Sequence, residues 1–279
     1  ILVIGAGPGG MATAMRLAHK GYAVELFEAE DRVGGRMRGF TLGDYAFDTG
    51  PTILQVPRVY EELFNEVGLN FYDYIRLLRL DPNTRLRFWD DTVLDLTSNI
   101  PAFKQQLAAL RPDLPDAFER WYVEHIRKEV VGYAPYLGTP VRPVLNYLRP
   151  TELAAALPFR PWETLYDHYW RHFHDERMVY GLSYPAKYLG MHPSACSSVF
   201  SLIAFLEFEY GIWHPEGGFR ALAQALGKAA ADLGVQIHLN TPVKQVWLDG
   251  RTVRGVELAN GERIAADAVV VNADFGYAQ

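Results

Sequence analysis

Short runs of aliphatic and β-branched residues alternate with amphipathic stretches at both ends of this chain, while its middle follows another rule. Ile1–Ile4 is apolar without interruption, as a strand buried on both faces of a parallel sheet would be. Met11–Lys20 has helical spacing and is closed by Gly21, and Ala23–Phe27 reads as the next strand. A helix is predicted over Pro57–Val67. Arg76–Leu80, Arg85–Trp89 and Val93–Leu96 follow, separated by the turn residues Asp81-Pro82-Asn83-Thr84 and Asp90-Asp91, and predict an antiparallel section. From Ile100 to Ala204 strand signals vanish and Trp, Tyr, Phe, His and Pro become dense. Several helices are expected there, broken at Pro112, Pro140, Pro150, Pro158 and Pro193. From Tyr210 the alternation resumes. Ile212-Trp213 precedes Gly217-Gly218, a helix runs to about Leu233, and Val235–Leu239 is a strand. Lys244–Leu248, Thr252–Leu258 and Arg263–Ala265 form a meander, and Ala268–Asn272 is again a buried strand. The fold class is therefore α/β: a parallel sheet with an antiparallel meander and a helical insertion.

Composition narrows the function. The 279 residues are 49% hydrophobic and 22% charged, enough for a sizeable core, and the net charge of -6 argues against a nucleic-acid partner. The single cysteine, Cys196, excludes an intrachain disulfide and suits a reducing, cytoplasmic setting. It is expected to be a buried thiol and not a nucleophile, since no base is identifiable near it. No apolar run reaches the roughly 18 residues of a spanning helix. Val199–Phe208 comes nearest and is interrupted by Ser201 and Glu207. The chain begins inside one strand and stops just after another, Val269–Val271, so it is expected to be a piece of a longer protein.

Gly5-Ala6-Gly7-Pro8-Gly9-Gly10 fits the pattern G-x-G-x-x-G. Gly5 permits the tight turn, Gly7 lets backbone approach a pyrophosphate, and Gly10 lets helix pack on strand. The helix N-terminus then offers N–H groups and partial positive charge to phosphates. Alone the match is weak. Here a strand precedes it, a helix follows it, and Glu28 closes the next strand about 20 residues on, where a ribose-binding acid belongs. Dinucleotide binding follows from that combination.

The loop Asp31-Arg32-Val33-Gly34-Gly35-Arg36 resembles the R-x-G-G-R segment of the amine-oxidase-like flavoproteins, which implies FAD and not NAD. In that resemblance Gly34 and Gly35 let backbone lie close to the cofactor and Arg36 reaches its phosphates. Phe47-Asp48-Thr49-Gly50-Pro51-Thr52 with Pro57 is similar to the F-D-x-G-P-T segment of bacterial carotenoid desaturases of the phytoene desaturase type. So are Leu80-Asp81-Pro82, Tyr188-Leu189-Gly190-Met191-His192-Pro193 and Gly211-Ile212-Trp213-His214-Pro215-Glu216-Gly217-Gly218. Asn240-Thr241-Pro242-Val243 resembles the strand at the adenine end of FAD, with Val243 giving backbone groups to the base. The matches run in family order over the whole chain, and the family extends beyond Gln279 with a Gly-rich flavin-contacting segment.

The resemblance implies an FAD-binding part at 1–75, substrate-domain strands at 76–99, a helical insertion for substrate and membrane at 100–208, and a return to both sheets at 209–279. It implies desaturation of a linear isoprenoid such as phytoene or its C30 analogue, with flavin N5 as hydride acceptor in a dry tunnel. Gly50, Pro51 and Thr52 would lie near the isoalloxazine ring, and Gly217-Gly218 would approach cofactor or substrate. No catalytic side chain is assigned. Rival activities on this fold are a carotenoid isomerase, a squalene-pathway oxidoreductase and an amine oxidase. A non-catalytic isoprenoid-binding protein, like Rab escort and GDP-dissociation-inhibitor proteins, would have lost the FAD site, whereas Glu28 and Arg36 are present here.

Two further groups of residues invite interpretation. His168 and His172 lie at helical i, i+4 spacing with His174 nearby, but no Cys or Glu-His motif accompanies them, so no metal is expected. Trp121, Tyr122, Tyr133, Tyr136, Tyr147, Trp162, Tyr166, Tyr169 and Trp170 are mixed with Arg120, Arg127, Lys128, Arg149, Arg160 and Arg171. That mixture suits an interfacial surface and predicts peripheral membrane contact by the insertion.

Overall fold

β1 (Leu2–Ile4) runs through Gly5–Gly7 into α1 (Pro8–His19), whose first position is a proline, where the missing N–H has no partner to lose. β2 (Glu25–Phe27) follows, then the hairpin of β3 (Gly39–Leu42) and β4 (Tyr45–Asp48), α2 (Arg58–Glu66) and β5 (Leu77–Leu80). β6 (Thr84–Arg87) and β7 (Val93–Leu96) form a second hairpin. Helices come next: α3 (Ile100–Leu110), α4 (Leu114–Gly132), α5 (Leu165–Phe173), α6 (Glu176–Leu182) and α7 (Ser201–Tyr210). Their starts are chemically marked. Asn99, Thr164 and Asp175 accept hydrogen bonds from the first-turn N–H groups of Ala102, Asp167 and Arg177 at the heads of α3, α5 and α6. β8 (Ile212–Pro215), α8 (Phe219–Asp232), β9 (Gln236–His238), β10 (Val243–Asp249), β11 (Thr252–Leu258), β12 (Arg263–Ala265) and β13 (Val269–Val271) complete the order.

The computed structural model describes residues 1–132, 157–274 and 276. They fall into two units, Ile1–Arg79 with Trp213–Gln279, and Leu80–Ile212. In the first, a parallel sheet of order β13-β1-β2-β9 pairs Leu2 with both Glu25 and Val269. Successive strand residues point to opposite faces. Val3 and Leu26 accordingly enter a core with Met11, Met15, Leu222 and Leu226 of α1 and α8, whereas Leu2 and Phe27 meet Val256 and Leu258 of the β10-β11-β12 meander. Both faces are covered, which is why the two strands β1 and β13 are apolar throughout, while polar Glu25, Gln236 and His238 stand on β2 and β9.

Two strand features differ from the sequence expectation. β5 pairs with β8, not with β6, so the three segments between Arg76 and Leu96 do not form one continuous antiparallel run. The β3–β4 hairpin is the second: Phe40-Thr41-Leu42 and Tyr45-Ala46-Phe47 alternate around the turn Gly43-Asp44, a hairpin signal that the expectation did not include, and Phe40, Leu42, Tyr45 and Phe47 are all well exposed.

The second unit is built on aromatic packing. Trp121, Tyr169, Phe103, Phe118, Phe173, Phe205 and Phe208 share one core with aliphatics of β7 and α6. Here the expected interfacial surface needs correction. Trp121 and Tyr169 are fully buried, and the Lys128 stem and ammonium are buried with Nζ held 2.6 Å from Glu124 Oε1. They face the neighbouring helices because α4 and α5 turn their aromatic stripes toward each other. Trp162 and Trp170 are exposed, by 69% and 40%. Tyr133, Tyr136, Tyr147 and Arg149 lie outside the described residues, as do Pro140 and Pro150. Cys196 is a free, buried thiol, and burial pushes its pKa up. Among the described residues no helix is long and apolar enough to cross a membrane.

Candidate nucleotide site

Three loops converge at the C-terminal edge of the parallel sheet, the place where open α/β sheets bind ligands. The first is the Gly5–Gly10 turn. Gly5 N–H donates to Phe27 O at 2.8 Å and Asn272 N–H donates to Ile4 O at 2.9 Å, so the turn is seated between β2 and β13. Gly10 has no room for a side chain, since a Cβ there would stand 2.0 Å from Gly5 O. That contact lets α1 start directly over the turn and aim its N-terminus and partial positive charge at the loop. Pro8 is the first residue of α1, and Gly9 follows it.

The second loop lies on the first. Gly34 N–H donates to Ala6 O at 2.8 Å, and a Cβ on Gly35 would reach within 3.2 Å of Gly7 Cα. Arg36 opens outward, 88% exposed, with Nη2 2.6 Å from Asp274 Oδ2. The third loop, Gly50-Pro51-Thr52, is locked to the second, because a Cβ on Gly50 would stand 1.9 Å from Arg36 O. Thr52 O accepts from His214 Nδ1 at 3.0 Å.

Glu28, at the end of β2, is buried beneath the first loop. Its Oε2 accepts from Ala6 N–H at 2.7 Å and its Oε1 from Glu30 N–H at 3.1 Å. A carboxylate has about four lone-pair sites, so each oxygen keeps capacity for a ribose hydroxyl. Glu28 O accepts from Thr241 N–H at 2.8 Å, which ties the Thr241-Pro242-Val243 segment to the same place. Val243 itself begins β10 and pairs with Leu258, so it joins the site through Thr241 and not through the glycine loops.

The structure also gives roles to residues that the sequence did not single out. Asp48 caps α8, accepting from Phe219 N–H at 2.8 Å and Arg220 N–H at 3.2 Å. The close approach that Gly218 permits is to this carboxylate, 2.6 Å from a would-be Cβ. Asn272 packs its side-chain amide against Gly7, Gly9 and Gly10, and Asp274 holds Arg36. The acid and amide after a terminal apolar strand, Val271-Asn272-Ala273-Asp274, were the available signal.

These parts suit a dinucleotide: a glycine-rich turn for the diphosphate, a helix N-terminus, a carboxylate with unused acceptor sites and an exposed guanidinium. Comparison with known proteins agrees. The family model described as flavin containing amine oxidoreductase matches residues 8–279. The chain is 46% identical over 281 residues to all-trans-zeta-carotene desaturase of Myxococcus xanthus, covering 100% of this chain and 53% of that protein. It is 38% identical over 282 residues to the zeta-carotene-forming phytoene desaturase of the same organism, covering 100% and 54%. The chain thus spans about half the length of the curated relatives it matches. Putrescine oxidase bound to putrescine has the same fold at TM-score 0.63 and 16% identity, over 100% of this chain and 59% of that one.

Proposed function

The chain belongs to the flavin containing amine oxidoreductase family, and from that premise we propose that it forms part of an FAD-dependent enzyme that desaturates a linear isoprenoid. Phytoene, its C30 analogue and zeta-carotene are the substrates in view. The observation that carries this reading is identity along the whole chain to two carotenoid desaturases, at 46% and 38%. The three-loop site supports it, since the glycine turn, Glu28 and the Gly34-Gly35-Arg36 loop lie together as an FAD site would need them.

FAD bound there supplies a hydride acceptor for an allylic C–H of the substrate. The protein's own part is to bind and orient. Glu28 would accept the ribose hydroxyls, the Gly5–Gly10 turn and the α1 N-terminus would take the diphosphate, and Gly34-Gly35 would bring backbone against it. Arg36 is paired with Asp274 only at the surface, where such a pair is weak, so its guanidinium can turn to a phosphate. Gly50-Pro51-Thr52, fixed on the Arg36 carbonyl, would form the wall on the flavin side.

Glu28→Ala should weaken FAD binding by about 1.5–3 kcal/mol, the range for hydrogen bonds to a charged acceptor, which is roughly 10- to 150-fold in Kd. Glu28→Gln can still accept from Ala6 N–H and keeps the fold as a control. Equilibrium binding of FAD to the stripped full-length protein reads both, and unchanged affinity in both variants contradicts the assignment.

A polyene of this length is insoluble, so the substrate must come from a bilayer. We propose that the protein is cytoplasmic and makes peripheral membrane contact, with the exposed Trp162, Trp170 and Arg160 as candidate contact residues. Trp162→Ser should lower liposome flotation while changing stability by less than about 0.5 kcal/mol, as surface substitutions do. The function itself is tested by incubating the FAD-replete full-length protein with liposomes carrying phytoene, its C30 analogue, zeta-carotene or squalene. A carotenoid product two hydrogens poorer is expected. Isomerisation without loss of hydrogen, or no product from any of them, contradicts the reading.

A further inference from the structure

α5 places His168 and His172 one turn apart on one face, and α4 brings Glu124 to them from a different part of the chain. One ligand atom from each residue lies within 4.8 Å of the other two. The rings of His168 and His172 have their centroids 4.9 Å apart. His172 Nε2 is paired with Glu124, whose Oε2 stands 3.3 Å away. The fully buried Nε2 of His168, by contrast, has no partner among the described residues, which is uncommon because buried polar atoms are nearly always paired.

Partners for the ligands themselves are also present. Lys128 Nζ holds Glu124 Oε1 at 2.6 Å, leaving Oε2 toward the histidines. Glu163 is braced by Arg171 at 2.9 Å and 3.2 Å, with its Oε2 3.5 Å from His168 Nδ1. Arg171 Nη2 donates to His168 Nδ1 at 3.2 Å, so metal on Nε2 requires that guanidinium to give up Nδ1 and the Glu163 carboxylate to take the Nδ1 proton in its place. Carboxylate–histidine–metal arrangements are built in this way.

We propose that Glu124, His168 and His172 bind a divalent transition-metal ion of the zinc type, which clips α4 to α5. Two imidazoles and one carboxylate with a fourth position left to water are a zinc donor set, and imidazole disfavours calcium and magnesium. Bonds of about 2.0–2.2 Å put tetrahedral donors about 3.3–3.6 Å apart, so small side-chain rotations close the site. Glu124 is one-third exposed, which gives the ion and its water a way in. Lys128 and Arg171 already balance Glu124 and Glu163, so the bound ion adds net positive charge and the site is moderate in affinity. Its role is structural, tying the stability of the helical unit to metal supply.

The test uses full-length protein carrying FAD, stripped with a chelator and titrated with Zn2+ against a chromophoric competitor, with Co2+ as a spectroscopic probe. One ion per chain, intensified visible Co2+ bands and a thermal midpoint that rises with Zn2+ are expected. Glu124→Gln and His172→Gln alter the two ligands nearest solvent and should each weaken Zn2+ at least about tenfold, with FAD absorbance and circular dichroism unchanged. Zn2+ binding that persists in the double variant, or no binding by the unaltered protein above the double variant, overturns the proposal.

Discussion

Replacing Trp121 by alanine lowers the stability of the helical unit by about 3 kcal/mol or somewhat more and leaves liposome binding unchanged. Truncating a buried Trp ordinarily costs about 3–5 kcal/mol. Trp121 is wholly enclosed, with the rings of His125, Phe118 and Phe208 at 4.4, 5.6 and 6.0 Å between centroids. Its indole Nε1 has no hydrogen-bond partner among the described residues, and an unpaired buried N–H costs about 1–3 kcal/mol by itself. Removing that group offsets part of the cavity cost, which puts the expected value at the lower end. Trp121→Phe separates the two effects, since it keeps an aromatic ring, removes the N–H and should cost less than Trp121→Ala. Urea unfolding followed by far-UV circular dichroism measures both, with liposome flotation alongside. A loss below about 1 kcal/mol for Trp121→Ala, far under the cavity range, would return this residue to the protein surface.

Gly10→Ala and Gly7→Ala should both empty the nucleotide site, for different reasons. At Gly10 the new Cβ would meet Gly5 O at 2.0 Å, a backbone atom that cannot rotate away. α1 must shift off the turn, and overpacking of this kind costs about 1–3 kcal/mol. The variant therefore loses both stability and FAD. At Gly7 the nearest atom to a Cβ is Asn272 Nδ2 at 3.6 Å, an ordinary contact. The stripped protein should be as stable as before, within about 0.5 kcal/mol. Any loss of FAD then arises from the methyl group standing where the diphosphate must approach. A fall of at least about 100-fold in FAD affinity, close to 2.7 kcal/mol, is expected for Gly7→Ala. Equal stability and equal FAD affinity in Gly7→Ala would place the diphosphate elsewhere.

What could be read from the sequence was what neighbours in sequence decide. The Gly5–Gly10 turn, Glu28 and the Gly34-Gly35-Arg36 loop each sit at the end of an apolar strand, and the structure stacks the two glycine loops on one another. Pairings across long separations were not legible. β5 finds its partner in β8, Asp48 caps a helix that starts at Phe219, and Asn272 meets a turn at the other end of the chain. Composition misled where direction mattered. The aromatics of α4 and α5 look alike in sequence, yet Trp121 and Tyr169 are enclosed while Trp170 is exposed. The histidine pair shows the same limit. Its spacing is visible on α5, but the carboxylate that makes it a candidate metal site comes from α4.

The central claim is that an isoprenoid gives its hydrogens to the flavin held by these loops. The direct test is to mix FAD-replete full-length protein, without oxygen, with zeta-carotene or phytoene carried in liposomes, and to follow the absorbance of oxidised flavin. Bleaching of that absorbance, with one desaturated product formed per flavin, is the predicted result. A flavin that stays oxidised with every isoprenoid offered, yet is bleached by an amine such as putrescine, would contradict it.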